Sequence, residues 1–279
     1  MIDCGKIFFL GAGKMATALA GGMVKNGYPA AKVSAIDISA EAWESFEKTT
    51  GISSPTGNLS SNAKIAEALA FFGTSDVVVL AVKPQYLAEA LQAYRGRLSD
   101  KLVISIVAGK NLATLAELTG AQRIIRVMPN TPAMVGCGAS GFAGSDEVTA
   151  HDKEVARSIL SAVGVCRELP EKLMDAVTGL SGSGPAFVFE FIQAMADGGV
   201  YAGLPRDTAL QLAAQTVLGA ARMVLESGLH PTVLRDQVNS PGGTTGRGLQ
   251  VLDAAGFHGL VAAAVSAAAE RSAELGKAK

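Results

Sequence analysis

The sequence predicts an α/β fold, with a doubly wound parallel sheet in its first half and an all-α domain in its second half. Three observations support this prediction. Short β-branched runs alternate with helical segments up to about residue 120, strand-like runs stop near residue 171, and alanine-rich helical segments follow. We therefore expect one domain over residues 1–170 and a second over residues 171–279.

Six runs in the first domain have the composition of strands. They are short and rich in valine and isoleucine, and the helical segments between them are typical of parallel pairing. Pro170 ends the last run, so we expect that run at the edge of the sheet. The predicted strands cover residues 6–10, 32–36, 76–82, 102–107, 123–127 and 163–169.

Glycine and proline separate the helical segments of the second domain. Pro205 and Pro231 stand where a first helical turn has no amide hydrogen bond to lose, and Gly228 is placed as a C-terminal cap. Small residues along the second of these helices permit close helix packing. A helical domain this thin is expected to pack on a second subunit. The predicted helices cover residues 184–202, 205–227, 231–238, 246–255 and 258–275.

Composition and charge argue against several classes of protein. The 24 basic and 25 acidic side chains give a net charge of −1, without the basic surplus that binding to nucleic acid normally needs. The most apolar segment, residues 185–196, is shorter than the roughly 20 residues of a membrane span, and the N-terminus does not resemble a signal peptide. Cys4, Cys137 and Cys166 are too few and too widely spaced for a disulfide framework or a zinc site. We expect a cytoplasmic protein with no metal, membrane or nucleic acid.

A glycine-rich turn of the form G-x-G-x-x-A follows the first predicted strand and opens a helix predicted through Ala20. In this pattern Gly11 allows a tight turn, Gly13 lets a pyrophosphate approach the backbone, and Ala16 lets the helix lie close to the strand. A glycine-rich turn that binds nothing is the alternative. The pattern favours a Rossmann-type dinucleotide site, whose candidate residues here are Gly11, Ala12, Gly13, Lys14 and Met15.

Further cofactor candidates follow the next strands. Asp37 lies 21 residues after Ala16, where an acidic group commonly binds the ribose 2′-hydroxyl and would repel a 2′-phosphate, so it favours NADH over NADPH. An aspartate that caps a helix or turn is the alternative. The carboxyl ends of the third and fourth strands face the same crevice. The candidates there are Ala81, Val82, Lys83, Pro84, Ala108 and Gly109.

Glycine-rich segments at residues 178–185 and 240–246 interrupt the helices of the second domain. The second segment places free backbone amides at the start of a helix, which suits a carboxylate or a phosphate. The hydroxyl groups of Ser240, Thr244 and Thr245 can add hydrogen bonds. A tight connection between helices, capped by threonine, is the alternative.

Four motifs, at residues 81–84, 128–132, 178–188 and 240–245, occur together in an order and spacing that resemble one family. From residue 6 to about residue 275 the sequence closely resembles pyrroline-5-carboxylate reductase. The resemblance implies reduction of Δ1-pyrroline-5-carboxylate to L-proline by NADPH or NADH, the last step of proline biosynthesis. It also implies a homodimer or a larger assembly, with an all-α C-terminal dimerisation domain interlaced between subunits.

The resemblance also implies roles for individual residues. The glycine–threonine loop would hold the substrate carboxylate, Thr245 would reach the ring nitrogen, and Thr178 would be a second active-site threonine. This chain departs from the family at Asp37, where many members have serine, threonine or an asparagine–arginine pair, and at Gln237, where some have asparagine. The implied substrate-binding residues are Ser240, Gly242, Gly243, Thr244 and Thr245.

Two alternatives stay open on the sequence. One is a β-hydroxyacid or imine dehydrogenase of similar two-domain build, for which Asp197 is the nearest candidate catalytic group. The other is a non-catalytic dinucleotide-binding protein. His151, His230 and His258 lie in no motif suited to general acid catalysis. A cyclic imine arrives partly protonated and needs no strong acid, so this pattern favours imine reduction over carbonyl reduction.

Overall fold

The structure is a computed structural model that describes residues 1–52 and 62–277. These residues form two compact units, one of Met1–Gly182 with Ala268–Lys279 and one of Ser183–Ala267. Each unit is a set of residues that contact one another more than they contact the rest of the chain. Such contacts do not show that a unit folds independently, so the predicted domain boundary between residues 170 and 171 stays a prediction.

The first unit contains a seven-stranded sheet of order β2-β1-β3-β4-β5-β6-β7. Neighbouring strands are parallel except β5 and β6, which are antiparallel. The chain order reverses between β1 and β3, which confirms the doubly wound fold. The strands are β1 (Ile7–Leu10), β2 (Val33–Ile36), β3 (Val77–Leu80), β4 (Leu102–Ser105), β5 (Ile124–Met128), β6 (Gly138–Gly144) and β7 (Gly164–Glu168).

The strand β6 is absent from the sequence prediction, whereas the other six strands are confirmed and β7 lies at the sheet edge as expected. Its sequence, GASGFAG, has no β-branched residue. Close packing explains this composition: a β-carbon on Gly138 would lie 2.9 Å from the carbonyl oxygen of Val163, and one on Gly141 would lie 2.8 Å from a methyl group of Val177. The strand therefore uses small residues where propensity rules look for large ones.

Helices cover both faces of the sheet, and the alternation of side chains along the strands divides the core into two layers. Ile7 and Phe9 belong to one layer, and Phe8 and Leu10 to the other. All four side chains are buried, as expected for a parallel sheet between helices. The helices of this unit are α1 (Lys14–Lys25), α2 (Ala40–Thr50), α3 (Asn62–Gly73), α4 (Leu87–Ala90), α5 (Leu112–Thr119), α6 (Ala150–Ser161) and α7 (Met174–Val177).

The second unit is helical in all its regular elements, as predicted. Gly228 ends its second helix with a φ of +66°, and Pro231 begins the third, which confirms both assignments. Pro205 comes directly before its helix instead of inside the first turn. The helices are α8 (Gly184–Tyr201), α9 (Arg206–Ser227), α10 (Pro231–Gln237), α11 (Thr244–Ala254) and α12 (Phe257–Lys277), the last of which ends in residues of the first unit.

Large apolar side chains are exposed along the helices of the second unit. On α9, Ala209 and Ala213 are buried in a small cluster with α8 residues, whereas Leu212 and Met223 are half exposed. Apolar exposure of this extent is typical of a surface that associates with another protein.

Within the described residues, no single helix is both long enough and apolar enough to cross a bilayer. The helices α11 and α12 reach that length and composition only as a pair, and they meet at a bend of 51°.

Candidate functional site

The ends of β1 and β3 form the switch point of the sheet, where ligands bind in folds of this class. Gly11 follows β1 with a φ of +111°, and its amide donates to the carbonyl oxygen of Ile36 at 2.8 Å. A β-carbon on Gly11 would lie 2.6 Å from the carbonyl oxygen of Ala81. Both the backbone angle and the contact require glycine here, so the first glycine of the motif is needed for the fold.

Gly13 has a different role, because space is open beside it. It is the N-cap of α1 in extended conformation, and no side chain caps the helix. A β-carbon on Gly13 would have no atom within 4 Å. The first amides of α1 therefore have no intrahelical partner, and the backbone at Gly13 can be approached closely by a ligand.

A cavity of about 410 Å³ opens at this helix start, between α1 and α2. Its size and the exposed amides fit part of a dinucleotide, with the phosphates at the N-terminus of α1. The lining residues are Ala12, Gly13, Lys14, Thr17, Ala18, Ser39, Glu41, Ala42, Ser45, Thr49 and Met134.

The carboxylate of Asp37 joins the glycine turn after β1 to the loop after β2, at the rim of this cavity. Its Oδ2 accepts from the amide of Ala12 at 2.8 Å, and its Oδ1 accepts from the amide of Ser39 at 2.9 Å. Ser39, not Asp37, caps α2, because its hydroxyl accepts from the amide of Ala42 at 3.2 Å. The carboxylate thus fixes the glycine turn to the end of β2 and places a negative charge there.

The other predicted cofactor residues follow β3 and β4, which are neighbours in the sheet. Ala81 donates its amide to the carbonyl oxygen of Leu10 at 2.8 Å. Lys83 is exposed and extended, and Pro84 begins a short turn after it. Gly109, after β4, has a φ of +71°. Five predicted residues cluster at the switch point, namely Gly11, Ala12, Gly13, Asp37 and Ala81; Lys14 and Met15 continue into α1, and Val82, Ala108 and Gly109 follow their strands.

The glycine–threonine loop of the second unit also ends in an uncapped helix start. The helix α11 begins at Thr244, two residues earlier than predicted, because Gly243 already has the extended backbone of an N-cap. Gly242 has a φ of +70°, and a β-carbon on Gly243 would lie 2.5 Å from Oγ of Ser240. Thr245 is therefore the second residue of the helix, in a turn whose amides lack intrahelical partners.

The segment that contains Thr178 is a π-helical turn, Thr178–Gly182, which the sequence does not reveal. The hydroxyl of Thr178 donates to the carbonyl oxygen of Met174 at 2.9 Å, and that of Ser181 donates to the carbonyl oxygen of Val177 at 3.1 Å. Single π turns often occur at functional sites.

The candidate residue of the dehydrogenase alternative is engaged in an ion pair. Asp197 on α8 accepts from Gln193 at 3.0 Å and pairs with Arg206 of α9. The hydrogen bond from Arg206 holds the pKa of this carboxyl below its usual value. An ionised, paired carboxylate is a poor proton donor at neutral pH, and the ion pair of Asp197 with Arg206 joins α8 to α9.

Comparisons with known proteins assign the chain to a family. The sequence profile described as "Pyrroline-5-carboxylate reductase dimerisation" matches residues 171–275, and that described as "NADP oxidoreductase coenzyme F420-dependent" matches residues 6–109. The pyrroline-5-carboxylate reductase of Methanosarcina acetivorans is 47% identical over 98% of each chain, and that of Escherichia coli is 38% identical over 98% of each chain.

Solved structures agree with the sequence comparisons. A pyrroline-5-carboxylate reductase from Coxiella burnetii has a TM-score of 0.88 at 34% identity, covering 98% of this chain and 99% of that one. The Plasmodium falciparum pyrroline carboxylate reductase with NADP bound has a TM-score of 0.81 at 35% identity, covering 98% of each chain. The chain therefore belongs to the pyrroline-5-carboxylate reductase family of oxidoreductases.

Proposed function

We propose that this chain reduces Δ1-pyrroline-5-carboxylate to L-proline with NADPH or NADH, the last step of proline biosynthesis. The observation that most supports this function is the uncapped start of α11 in a chain that also has a dinucleotide turn. A protein that only senses dinucleotides needs no second anion site, whereas a reductase of an amino-acid precursor needs one for the carboxylate.

The substrate carboxylate binds at the start of α11. The Gly243 amide donates to the carbonyl oxygen of Ser240 at 2.9 Å, so Gly243 shapes the turn that binds the carboxylate. The amides of Thr244 and Thr245, in the first turn of α11, donate to the carboxylate, and the positive end of the helix dipole stabilises its charge. The turn that begins at Ser240 and passes through Gly242 holds these amides in place.

Thr245 accepts a hydrogen bond from the protonated ring nitrogen and so orients the reacting end of the substrate. Thr178 is the second catalytic threonine of the proposed reaction. Holding the reactants in a near-attack arrangement lowers the activation free energy by up to roughly 7–11 kcal/mol relative to reactants free in solution. Positioning is thus the main contribution of these side chains.

The chemistry of an imine explains why no acid is needed. When bound, the reduced nicotinamide supplies a hydride. A carbon–hydrogen bond forms at the carbon of the C=N bond, and the π electron pair moves to a nitrogen that already holds its proton. The residues therefore exclude water and orient the iminium without protonating an oxygen.

The cofactor is held by the switch-point residues. Gly11 and Ala12 form the turn under the pyrophosphate, and the backbone of Gly13, Lys14 and Met15 at the helix start holds it. The nicotinamide end is lined by Ala81, Val82, Lys83, Pro84, Ala108 and Gly109, at the ends of β3 and β4.

The preference between the two cofactors depends on Asp37, which we propose favours NADH because its carboxylate would repel a 2′-phosphate. We expect Asp37→Ser to raise the NADPH-to-NADH ratio of kcat/KM by about tenfold or more. Asp37→Asn removes the charge and keeps one acceptor oxygen, so one of the two hydrogen bonds from Ala12 and Ser39 can persist, whereas Asp37→Ser changes the shape of the side chain as well. Steady-state kinetics with both cofactors measure the ratio, and an unchanged ratio in both variants would remove the basis of this preference.

The functional unit is at least a dimer that forms through the helical domain, as the exposed apolar side chains of α9 and the match to a dimerisation family support. Leu212→Glu is expected to raise the dissociation constant of the dimer by about 100-fold, because an unpaired carboxylate in an apolar interface is costly. Sedimentation velocity over a range of concentrations measures this constant. Lys48→Glu is the control, because it changes the net charge by two units instead of one at an exposed position of α2, and it should sediment as wild type does.

The reaction can be tested through the fate of the hydride. Reduced cofactor deuterated on the transferred position is mixed with the protein and Δ1-pyrroline-5-carboxylate, and the product is examined by mass spectrometry and NMR. We expect L-proline with one deuterium on Cδ, the former imine carbon. Unlabelled proline, or no proline, would contradict the proposed function.

A further inference from the structure

Asn130 lies just after β5, and its buried side chain joins two parts of the first unit. Only 8% of the residue is exposed. Its Oδ1 accepts from the amide of Ala139 on β6 at 2.9 Å, and its Nδ2 donates to the carbonyl oxygen of Ser181 at 3.0 Å. One amide therefore connects the end of the sheet with the π turn Thr178–Gly182, about fifty residues further along the chain.

A second contact supports the same arrangement. A β-carbon on Gly182 would lie 2.6 Å from the terminal methyl group of Met128, so the last residue of β5 packs directly against the end of the π turn. The backbone of Asn130 is extended and is followed by a short 3₁₀ turn, Thr131–Val135. Pro129 and Pro132 restrict the chain on both sides of it.

The π turn depends on bonds from outside its own backbone. Its wider hydrogen-bonding pattern is rare and short in proteins, and it persists where the surroundings stabilise it. The hydroxyl groups of Thr178 and Ser181 both bond within the local chain, to Met174 and Val177. The bond from Asn130 to the Ser181 carbonyl ties the turn to the sheet.

We infer that Asn130 is a positioning residue, whose side chain holds the π turn against the end of β5 and thereby sets the place of the Thr178 hydroxyl in the reaction. This inference rests on the role of Thr178 in the proposed function. Only a side chain with both a donor and an acceptor at this position can bond Ala139 and Ser181 together.

The test is the isosteric change Asn130→Asp. It keeps an oxygen that accepts from Ala139 but replaces the donor to Ser181 by a second oxygen, which repels the carbonyl group. We expect kcat with Δ1-pyrroline-5-carboxylate to fall by roughly 10- to 100-fold, since small displacements of reacting groups have effects of this size. The KM for the reduced cofactor should stay within about twofold, because the turn from Gly11 to Lys14 is untouched.

Asn26→Asp is the matched control. In the unchanged protein the Nδ2 of Asn26 donates to the carbonyl oxygen of Gly22 at 2.8 Å and to that of Ala162 at 3.3 Å. Asn26 lies at the end of α1 that is away from the glycine turn. The same donor is lost there, and kcat should match the wild type.

A double-mutant cycle with Thr178→Val identifies the route of the effect. If Asn130 acts through Thr178, the double variant should be about as slow as the slower single variant, because the two changes then remove one arrangement. Independent, multiplying effects would overturn the inference, and so would an Asn130→Asp kcat equal to that of Asn26→Asp. A cofactor KM that rises together with a loss of folded protein would indicate a purely structural role and would also overturn it.

Asn130→Ala is the second variant if the aspartate does not fold, since it removes both hydrogen bonds without adding a charge, and the same criteria apply. The wild-type rate separates this inference from the proposed function. Absence of proline formation by the wild type contradicts the function itself, whereas a working wild type with a fast Asn130 variant contradicts only the positioning role.

Discussion

Gly11→Ala is expected to destabilise the fold by about 2–4 kcal/mol and to abolish dinucleotide binding. The alanine would have to adopt a φ of +111°, and its β-carbon would lie 2.6 Å from a backbone oxygen of Ala81. Ala81 directly follows β3, a strand paired on both sides, so its backbone cannot move aside as a flexible side chain can. Denaturant unfolding measures the loss of stability, and a variant as stable as the wild type would contradict our account of the turn.

Gly13→Ala is the matched comparison, because a β-carbon there meets no atom within 4 Å. Its free energy of unfolding should stay within about 1 kcal/mol of the wild type, whereas cofactor affinity should fall about tenfold or more as the methyl group enters the space of the pyrophosphate. Trp43, the single tryptophan, is nearly buried on α2 beside the cavity, so its fluorescence can report binding. Unchanged affinity would show that the phosphates lie elsewhere.

Thr245→Val is expected to lower kcat by about 10- to 100-fold, with a smaller change in the KM for Δ1-pyrroline-5-carboxylate. The variant keeps the shape of the side chain and the backbone amides that bind the carboxylate. It removes only the hydroxyl that orients the ring nitrogen. Steady-state kinetics at saturating cofactor separate kcat from KM.

Thr216→Val is the control for this substitution. Thr216 is exposed on α9, and its hydroxyl donates to the carbonyl oxygen of Leu212 of its own helix at 2.7 Å. Its loss should leave kcat unchanged. Equal rates for the two variants would show that Thr245 does not act in the reaction.

Local sequence predicts most of this fold because most of its elements follow local rules. The strands β1 and β3 are runs of large apolar residues between helices, and their position and parallel order follow from that alternation. The strand β6 could not be predicted, since its glycines are required by contacts with Val163 and Val177 that lie far along the chain.

The candidate site follows local sequence rules only in part. The turn at Gly11 has a local sequence signature, G-x-G-x-x-A. The close approach of Ala81 explains why its first residue is glycine. The motif at residues 128–132 is notable in the sequence for its prolines, but the two hydrogen bonds of Asn130, with Ala139 and with Ser181, depend on tertiary structure. No periodicity in the sequence reveals such a bond, and none reveals the π turn it supports.

The start of α11 shows how a small error in a boundary changes the chemistry. A helix from residue 246 would leave Thr244 and Thr245 in a loop, whereas the observed start at Thr244 places both in the first helical turn. The extended backbone of Gly243 determines this start, and glycine permits many conformations, so its sequence alone does not fix the boundary.

The most direct test of the function is the initial rate at which the purified protein oxidises reduced nicotinamide cofactor when Δ1-pyrroline-5-carboxylate is added. We predict rapid oxidation that depends on the substrate, with NADH used more efficiently than NADPH. Folded protein that binds either cofactor but shows no oxidation with this substrate would contradict the proposed function.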